Sequence, residues 1–406
     1  MDIQDIVIIG AGAAGSFAAA IASELNPSLK IKLLEKTRQP LAKVRISGGG
    51  RCNVTHHCFD PVALIENYPR GKEFLRNAFF RFQPQDMIDW LLRHGVTVKT
   101  EKDGRMFPVT DRSQTIIDCL LTLIEKQGVD LLLESEVVSI VLVEDLFYIE
   151  LKNQTTLISK KVLLATGGVQ KSYFLAERLG HLIEPGIPSL FTFELQEEWI
   201  KAYSGSVAPS VKVALEGFSK ETEGPLLVTH WGLSGPAVLK LSAFAARWLF
   251  DRNYQAQVFI NWTGLFEEKV QEVLFQERKR SSSKKLFLTP LFSLSKNFWR
   301  ALLAQVSPTF PDLVWSQVSK QEIKQLLGIL VQTEFTLIGK SLNKEEFVTC
   351  GGVSLKEVDP RTFQSKKVPG LYFAGELLDI DGVTGGFNFQ NAWTSSFLAA
   401  QSMVLS

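Results

Sequence analysis

The 406-residue sequence has few cysteines, little net charge and no long apolar run, and each of these features argues against some classes of protein. It has only four cysteines, which fits a reducing, cytoplasmic compartment. The formal net charge is +1, so overall charge gives no case for nucleic-acid or membrane binding, although it is compatible with a local basic face. No apolar run predicts a membrane span, and no internal repeat is visible. With 45% hydrophobic and 21% charged residues, the chain can bury the cores of two or three domains.

The stretch up to Glu35 carries the clearest pattern in the sequence. The buried strand Ile6–Ile9 leads into a G-x-G-x-x-G turn, an alanine-rich helix follows, and the second strand Ile31–Leu34 ends at Glu35. Such glycines permit a tight turn, the approach of a pyrophosphate and close helix packing, and the helix N-terminus offers N–H groups to phosphate. The pattern therefore predicts dinucleotide binding, with Glu35 accepting from ribose hydroxyls. The candidate contacts of the turn are Gly10, Gly12, Ala13, Ala14 and Gly15.

A second glycine-rich segment follows, with three consecutive glycines between Arg45 and Arg51. It predicts a loop whose backbone lies flat against a ligand, and its N–H groups and cations suit phosphate or a flavin edge. The candidate contacts here are Lys36, Lys43, Ser47, Gly48, Gly49, Gly50, Arg51, Cys52 and Asn53. Cys52 is expected to pack under the cofactor, with redox activity as the alternative. Together with His56, His57 and Cys58 it could also bind a metal, but the spacing matches no common zinc pattern, and no metal is predicted.

Two further strands end in small residues. The first, Val162–Ala165, runs into Thr166, Gly167 and Gly168, at the sheet edge where doubly wound folds bind ligands. The second ends at Gly375 and Glu376, and Asp379 follows. The last helix then starts after Gly385, Gly386, Phe387 and Asn388. A helix N-terminus aimed at a flavin stabilises the negative charge that reduction builds, so the combination favours FAD over NAD.

The residues between these segments predict further strands and helices, which divide the nucleotide-binding domain into two parts along the chain. A β-meander is expected from Glu136–Val143, Leu146–Leu151 and Val162–Ala165. Later strands are predicted at Phe191–Leu195, Val211–Leu215, Leu226–Thr229 and Gln257–Ile260, with a helix from Ala237 to about Leu249. The fold class predicted is α/β. Its Rossmann-type FAD-binding domain is split between residues 1–187 and 348–406, a β-rich domain spans 188–262 and is completed by 331–347, and a helical insertion spans 263–330.

Several short pieces, taken together and in order, resemble the YhiN/BaiN-like family of bacterial flavoproteins. They are I-S-G-G-G-R-C-N-V-T, G-R-M-F-P-V-T-D, T-H-W-G-L-S-G-P, C-G-G-V-S-L-K-E-V and G-L-Y-F-A-G-E-L-L-D-I-D-G-V-T-G-G-F-N-F-Q-N-A-W. The resemblance implies the same split FAD domain, and it implies FAD contacts at Gly10, Gly12, Gly15, Glu35, 48–53, Glu376, Asp379 and 385–388. Two departures stand out. The loop after Gly168 is shorter than in the family, and Ser395-Ser396 replaces the family's serine and glycine.

The resemblance also implies the reaction, which is reduction of an activated C=C bond: a hydride goes to the β-carbon and a proton to the α-carbon. One branch of the family is associated with steroid-type enones and another with uridine in large-subunit ribosomal RNA, which is the preferred substrate here. His230 or Cys52 is expected to supply the proton, although His230 could simply orient the turn at 232–236. A flavin-binding scaffold without turnover is the third alternative.

The expected partners follow from the same reasoning. No second G-x-G-x-x-G is present, so NAD(P)H would bind transiently as reductant, or a partner would deliver electrons. A cluster of five cations in the helical insertion could track RNA phosphates, while Arg45 and Arg51 guide a flipped base. A solvated helix end explains the same cluster equally well. The five cations are Arg278, Lys279, Arg280, Lys284 and Lys285.

Overall fold

A computed structural model of the chain describes residues 2–168, 172–341 and 348–405. The chain forms two compact units, one made of Met1–Pro188 with Val348–Ser406 and the other of Ser189–Phe347. The predicted fold class is confirmed, because the first unit is a Rossmann-type α/β domain built from both ends of the chain and the second is rich in β-structure. Within the described ranges, no helix is both long and apolar enough to cross a bilayer.

The strands and helices are numbered in chain order. The strands are β1 (Ile3–Ile9), β2 (Ile31–Leu34), β3 (Thr55–His56), β4 (Val98–Thr100), β5 (Arg105–Pro108), β6 (Asp130–Leu132), β7 (Val137–Val143), β8 (Leu146–Leu151), β9 (Thr156–Leu164), β10 (Ile183–Ser189), β11 (Thr192–Leu195), β12 (Val207–Leu215), β13 (Thr222–Val228), β14 (Gly232–Ser234), β15 (Ala256–Asn261), β16 (Thr333–Ser341), β17 (Val348–Val353) and β18 (Leu371–Phe373). The helices are α1 (Ala13–Leu25), α2 (Ala42–Gly50), α3 (Pro61–Ile65), α4 (Lys72–Phe79), α5 (Pro84–Arg93), α6 (Ser113–Lys126), α7 (Phe174–Arg178), α8 (Glu198–Lys201), α9 (Pro236–Phe244), α10 (Ala246–Phe250), α11 (Glu267–Arg280), α12 (Lys296–Ala304), α13 (Lys320–Val331) and α14 (Phe387–Leu405).

The main sheet of the first unit has the order β6-β2-β1-β9-β8-β7, and β18 also pairs with β9. Strands β6, β2, β1, β9 and β18 are parallel, whereas β8 and β7 are antiparallel. The predicted meander differs in one respect: its third strand begins at Thr156 rather than Val162 and is the Rossmann strand itself. The run Ile6–Ile9 is fully buried, as expected for a central parallel strand.

Helices α1 and α14 pack against each other in the first unit. The hydroxyl of Ser396 donates to the carbonyl of Ala14 at 2.8 Å, so the serine that departs from the family pattern ties the two helices together. Beside this contact, the Phe17 ring meets Trp90 and Trp393 edge-on, with centroids 4.9 and 5.4 Å apart. Residues more than 370 positions apart therefore share one core.

The second unit is built on a closed antiparallel barrel of six strands in the order β11-β14-β13-β12-β15-β16. Its inward side chains, such as Phe193, Val213, Val258 and Leu337, are fully buried and belong to one apolar cluster with α11, α12 and α13. The barrel is consequently a packed core. The predicted helix from Ala237 to Leu249 is two helices, α9 and α10, and β14 is an additional strand.

Candidate cofactor site

The three glycines of the first turn have different surroundings. A β-carbon at Gly10 would lie 2.5 Å from the carbonyl oxygen of Ala165, and one at Gly15 would overlap the carbonyl oxygen of Gly10. A β-carbon at Gly12, by contrast, would meet no atom within 4 Å. The outer glycines are therefore required by the packing of the chain on itself, while Gly12 faces open space. Helix α1 begins at Ala13 without a side-chain cap, so its first N–H groups are directed at that space.

Glu35 is fixed at the end of β2, over the same turn. One carboxylate oxygen accepts from the Ala11 N–H at 3.1 Å. The other accepts from the Thr37 N–H at 3.0 Å and from its hydroxyl at 2.9 Å. A carboxylate has about four acceptor sites, so these bonds orient Glu35 and leave capacity for a ribose hydroxyl. The neighbouring Lys36 is exposed.

The segment predicted as a loop from Arg45 begins inside helix α2. The helix breaks at Ser47, whose ψ is 145°, and Gly48 and Gly49 then take left-handed φ values of 57° and 68°. A β-carbon at Gly48 would lie 3.0 Å from the Phe107 ring, whereas at Gly49 or Gly50 it would meet no atom within 4 Å. The backbone at 49–50 is thus open to a ligand, as glycines there permit.

The cations of this segment have protein partners. Arg51 bonds to Glu101 at 2.6 Å, and its guanidinium lies 4.0 Å from the centroid of the Phe107 ring. Arg45 donates to the side chain of Gln114 at 2.6 Å. Both arginines, predicted to guide a flipped base, are therefore held by neighbouring side chains. Arg51 is paired with a carboxylate, whereas the amide that holds Arg45 carries no charge to offset it.

Cys52 is fully buried and has a positive φ of 61°. Burial raises the pKa of its thiol to about 12, against a smaller opposing effect of the hydrogen bond with Ser47. The thiol therefore stays neutral near pH 7, which disfavours thiolate redox chemistry. Asn53 accepts from the Met106 N–H at 3.3 Å. Across the described parts of the chain, no group of three His, Cys, Asp or Glu side chains is arranged to hold a metal.

The residues that follow β9 contact the C-terminal segment of the first unit. Gly167 has a φ of 79° and open space at its β-carbon position, while a β-carbon at Gly168 would lie 3.0 Å from the carbonyl oxygen of Glu376. The Thr166 hydroxyl donates to the carbonyl of Ser172 at 3.3 Å. Residues 169–171, where the loop is expected to be short, lie outside the described residues.

Glu376 and Asp379 are held in different ways. Lys43 donates to the Glu376 carboxylate at 2.7 Å, which joins the two predicted contact regions. Asp379 is nearly buried and accepts from the Gly351 N–H at 3.0 Å. Gly375 donates its N–H to the Ser395 hydroxyl at 2.9 Å, and its β-carbon position lies 2.9 Å from that of Ala14. Glu376 is therefore held by α2 and Asp379 by β17, while Gly375 packs against α1 and α14.

The turn before α14 is fixed by close backbone packing. A β-carbon at Gly386 would lie 2.6 Å from the Thr55 carbonyl oxygen, and the carbonyl of Gly385 lies 2.9 Å from Nδ1 of His56. Asn388 exchanges two hydrogen bonds with the backbone of Gly382, at 2.8 and 3.0 Å. The Phe387 ring stacks on His56 with centroids 4.6 Å apart. These contacts set the direction in which α14 starts.

Three features of this unit were not predicted. Arg70 and Asp381 form a buried bidentate ion pair. Thr55 donates to the buried Gln390 at 2.6 Å. Tyr173 has a buried hydroxyl with no hydrogen-bond partner among the described residues, and burial, then the charges of Glu376 and Asp379, raises its pKa. No local pattern marks Arg70 or Thr55, because their partners are distant in sequence.

His230 lies in the second unit, in the tight turn between β13 and β14. The N–H of Thr229 donates to the carbonyl of Gly232 at 2.8 Å. The Thr229 hydroxyl accepts from the N–H groups of Trp231 and Gly232 at 3.3 and 3.1 Å. His230 is exposed and Trp231 is 61% exposed, so a rigid turn presents both side chains to solvent.

Comparison with known proteins gives a consistent set of relatives. Residues 4–402 match the family described as the HI0933-like protein Rossmann domain. The chain is 32% identical over 415 residues to a ribosomal RNA dihydrouridine synthase of Escherichia coli, covering 100% of this chain and 99% of that protein. It is 26% identical over 421 residues to a 3-dehydro-bile acid delta(4,6)-reductase of Clostridium scindens, covering 98% of each. The fold is shared with 3-ketosteroid delta1-dehydrogenase from Sterolibacterium denitrificans, at a TM-score of 0.52 and 12% identity over 100% of each chain.

Proposed function

Since this chain belongs to the HI0933-like Rossmann family, we propose that it is an FAD-dependent oxidoreductase that reduces uridine in large-subunit ribosomal RNA to dihydrouridine. The observation that carries this proposal is the 32% identity, over the full length of both proteins, with a ribosomal RNA dihydrouridine synthase. A second candidate is a steroid-type enone, favoured by the match to the bile-acid reductase. Both substrates contain a C=C bond conjugated to a carbonyl, so one reaction type covers them.

Several features of the first unit support FAD binding. Open space at Gly12 and the uncapped start of α1 suit the pyrophosphate, and Glu35 suits the adenosine ribose. We propose that Gly49, Gly50 and Gly167 bring the backbone against the cofactor, and that Glu376 and Asp379 meet its ribityl chain. When bound, FAD supplies the two-electron chemistry, and NAD(P)H is the proposed source of the electrons.

The protein would contribute polarisation and a proton. Helix α14 has 19 residues, and its N-terminal dipole stabilises negative charge that develops nearby. Reduction of the conjugated bond also requires a proton at the α-carbon, which a positioned acid must deliver. The two candidate proton donors have different environments. His230 is exposed on a rigid turn, whereas Cys52 is fully buried and its thiol is neutral.

We predict that His230→Ala lowers substrate reduction by about 10²- to 10⁴-fold, the usual contribution of a general acid, without loss of FAD. The measurement is the rate of flavin reoxidation by substrate after anaerobic reduction. Cys52→Ala should leave that rate largely intact. With a thiol pKa of about 12, Cys52 stays protonated across neutral pH, so a rate that declines there cannot reflect its titration. Full turnover in both variants would place the acid elsewhere.

The proposed substrate is tested in a deletion strain. We expect large-subunit ribosomal RNA from that strain to lack one dihydrouridine, measured by mass spectrometry of nuclease fragments, and the wild-type gene to restore it. In parallel, the reduced protein should be reoxidised by an unmodified RNA transcript. Unaltered RNA together with rapid reoxidation by a steroid enone would favour the second candidate. No reoxidation by either would support the third alternative, a flavin-binding scaffold.

A further inference from the structure

The helical insertion contains a long segment without acidic residues. Between Arg278 and Pro311 the sequence has seven Lys or Arg residues and no Asp or Glu, although the whole chain has a net charge of only +1. Such a run brings seven cations together along the chain with no carboxylate between them. Two of these cations, Lys296 and Arg300, lie outside the cluster at 278–285 and project from α12.

Three of the seven cations surround one aromatic ring. The Nζ atoms of Lys285 and Lys296 lie 6.0 and 5.2 Å from the centroid of Phe287, and Cζ of Arg300 lies 4.8 Å from it. All three cations are exposed, and the ring is half-buried. We refer to Lys285, Phe287, Lys296 and Arg300 as the Phe287 platform.

The backbone that carries the ring is rigidly held. The N–H of Leu286 donates to the Leu313 carbonyl at 3.0 Å, and its carbonyl accepts from the Trp299 indole at 2.9 Å. The Trp315 indole donates to the Thr289 hydroxyl at 2.8 Å. Both tryptophans are fully buried in the core of the second unit. The platform is therefore preorganised, which reduces the entropy lost when it binds a ligand.

One carboxylate neutralises part of this charge. Asp312 lies 3.2 Å from Arg300 and 3.7 Å from Lys285, and all three side chains are about half exposed. Exposed ion pairs of this kind are weak and exchange readily with other anions. The platform retains a net positive charge beside an apolar ring, which complements a chain that alternates phosphates with unstacked bases.

We propose that the Phe287 platform binds single-stranded RNA, with a base packing on the exposed part of the Phe287 ring beside Arg300 and flanking phosphates on Lys285 and Lys296. This inference rests on the proposed RNA substrate and adds a contact surface to it. An acidic protein would use the cations without needing the ring, and duplex RNA presents no open base face. If removing the ring abolishes binding of single-stranded RNA, the partner is single-stranded RNA rather than an acidic protein or duplex RNA.

The test uses the FAD-loaded full chain and a labelled single-stranded, uridine-rich RNA of about 12 nucleotides, within the usual site sizes for such binding. Fluorescence anisotropy should show about tenfold weaker binding for Phe287→Ala, with an unchanged salt dependence because no charge is removed. The double variant Lys285→Gln/Lys296→Gln should reduce the log–log salt slope by about 1.4, because each lysine is proposed to pair with one phosphate. Asp312→Asn should tighten binding about twofold, a gain that misfolding cannot produce.

The matched control is Phe266→Ala. Phe266 is 74% exposed in the same unit and has Lys212 4.4 Å from its ring, but it lies outside the acid-free segment. Its replacement should leave RNA affinity unchanged. Equal losses for Phe266→Ala and Phe287→Ala would overturn the proposal, as would an equal loss of duplex RNA binding on Phe287→Ala.

The experiments can refute the platform without refuting the proposed function, and the reverse. If the wild type forms dihydrouridine and Phe287→Ala binds RNA normally, the platform is refuted and the function stands. If the wild type binds RNA through Phe287 but neither forms dihydrouridine nor reoxidises its flavin with RNA, the platform stands and the function fails. A wild type that binds no RNA refutes the platform.

Discussion

Replacing Gly12 by valine is expected to give a folded protein that binds FAD at least a hundredfold more weakly and is purified without it. Gly12 has a φ of −82° and a ψ of −167°, an extended conformation that valine adopts without strain, and its β-carbon position is open. The valine methyl groups would fill the space expected for the pyrophosphate. An overlap costing about 3 kcal/mol weakens FAD binding roughly a hundredfold or more. The measurement is the flavin absorbance of the purified protein, before and after reconstitution.

Gly15→Ala provides the matched contrast. A β-carbon there overlaps the Gly10 carbonyl oxygen, so the turn must shift, and we expect a lower melting temperature whether or not FAD is added. Gly12→Val should instead melt at the temperature of the wild-type apoprotein. A yellow Gly12→Val variant with one FAD per chain would show that the pyrophosphate does not lie at this turn.

Neutralising the five cations of the helical insertion is expected to weaken RNA binding strongly. Changing Arg278, Lys279, Arg280, Lys284 and Lys285 to glutamine should lower the log–log salt slope by about 0.7 for each single-strand phosphate that the protein no longer neutralises. If each of the five cations pairs with a phosphate, the slope falls by about 3.5, and affinity at moderate salt falls by about a hundredfold or more. Fluorescence anisotropy over a salt series measures both quantities.

Two controls belong to this experiment. Changing Lys320 and Lys324, exposed lysines of α13 in the same insertion, to glutamine should have little effect. FAD content and reduction by a small artificial donor should be unaltered in the five-site variant, because the nucleotide fold is formed by the other unit. Unchanged RNA affinity and slope would shift the proposed substrate to a small-molecule enone.

The parts of the fold that could be predicted from sequence are those with several local signals in register. The strand–turn–helix at the N-terminus combines a β-branched run, spaced glycines and an alanine-rich helix, and β1 and α1 lie where expected. The start of α14 after Gly385 and Gly386 is equally well marked. Here local propensity and the final structure agree.

The parts that could not be predicted depend on distant partners. Strand β14 has only three residues, two of them glycine and serine, and it forms because β11 and β13 flank it. Arg70 and Asp381 pair across 311 positions, as Thr55 and Gln390 do across 335. Side chains that contact each other only in the folded state produce no periodic pattern in the sequence.

The break inside α2 illustrates a different limit. Three glycines predicted an irregular loop, which is correct for 47–50, but the residues before them form a helical turn that starts after Leu41. The Leu41 N–H bonds to the Ala11 carbonyl at 2.8 Å, so the first glycine-rich turn fixes where that helix begins. The boundary is thus set by tertiary contact rather than by helix propensity.

The pairing of β18 with β9 and the contact of Ser396 with Ala14 also govern the order of folding during synthesis. At about 5 to 20 residues per second, the partners of α1 emerge roughly 20 to 75 s after it. The second unit is contiguous in sequence and can fold in that interval. During the same interval α14 does not yet cover the apolar face of α1 around Phe17. This delay leaves the N-terminal segment exposed to aggregation until α14 has been made.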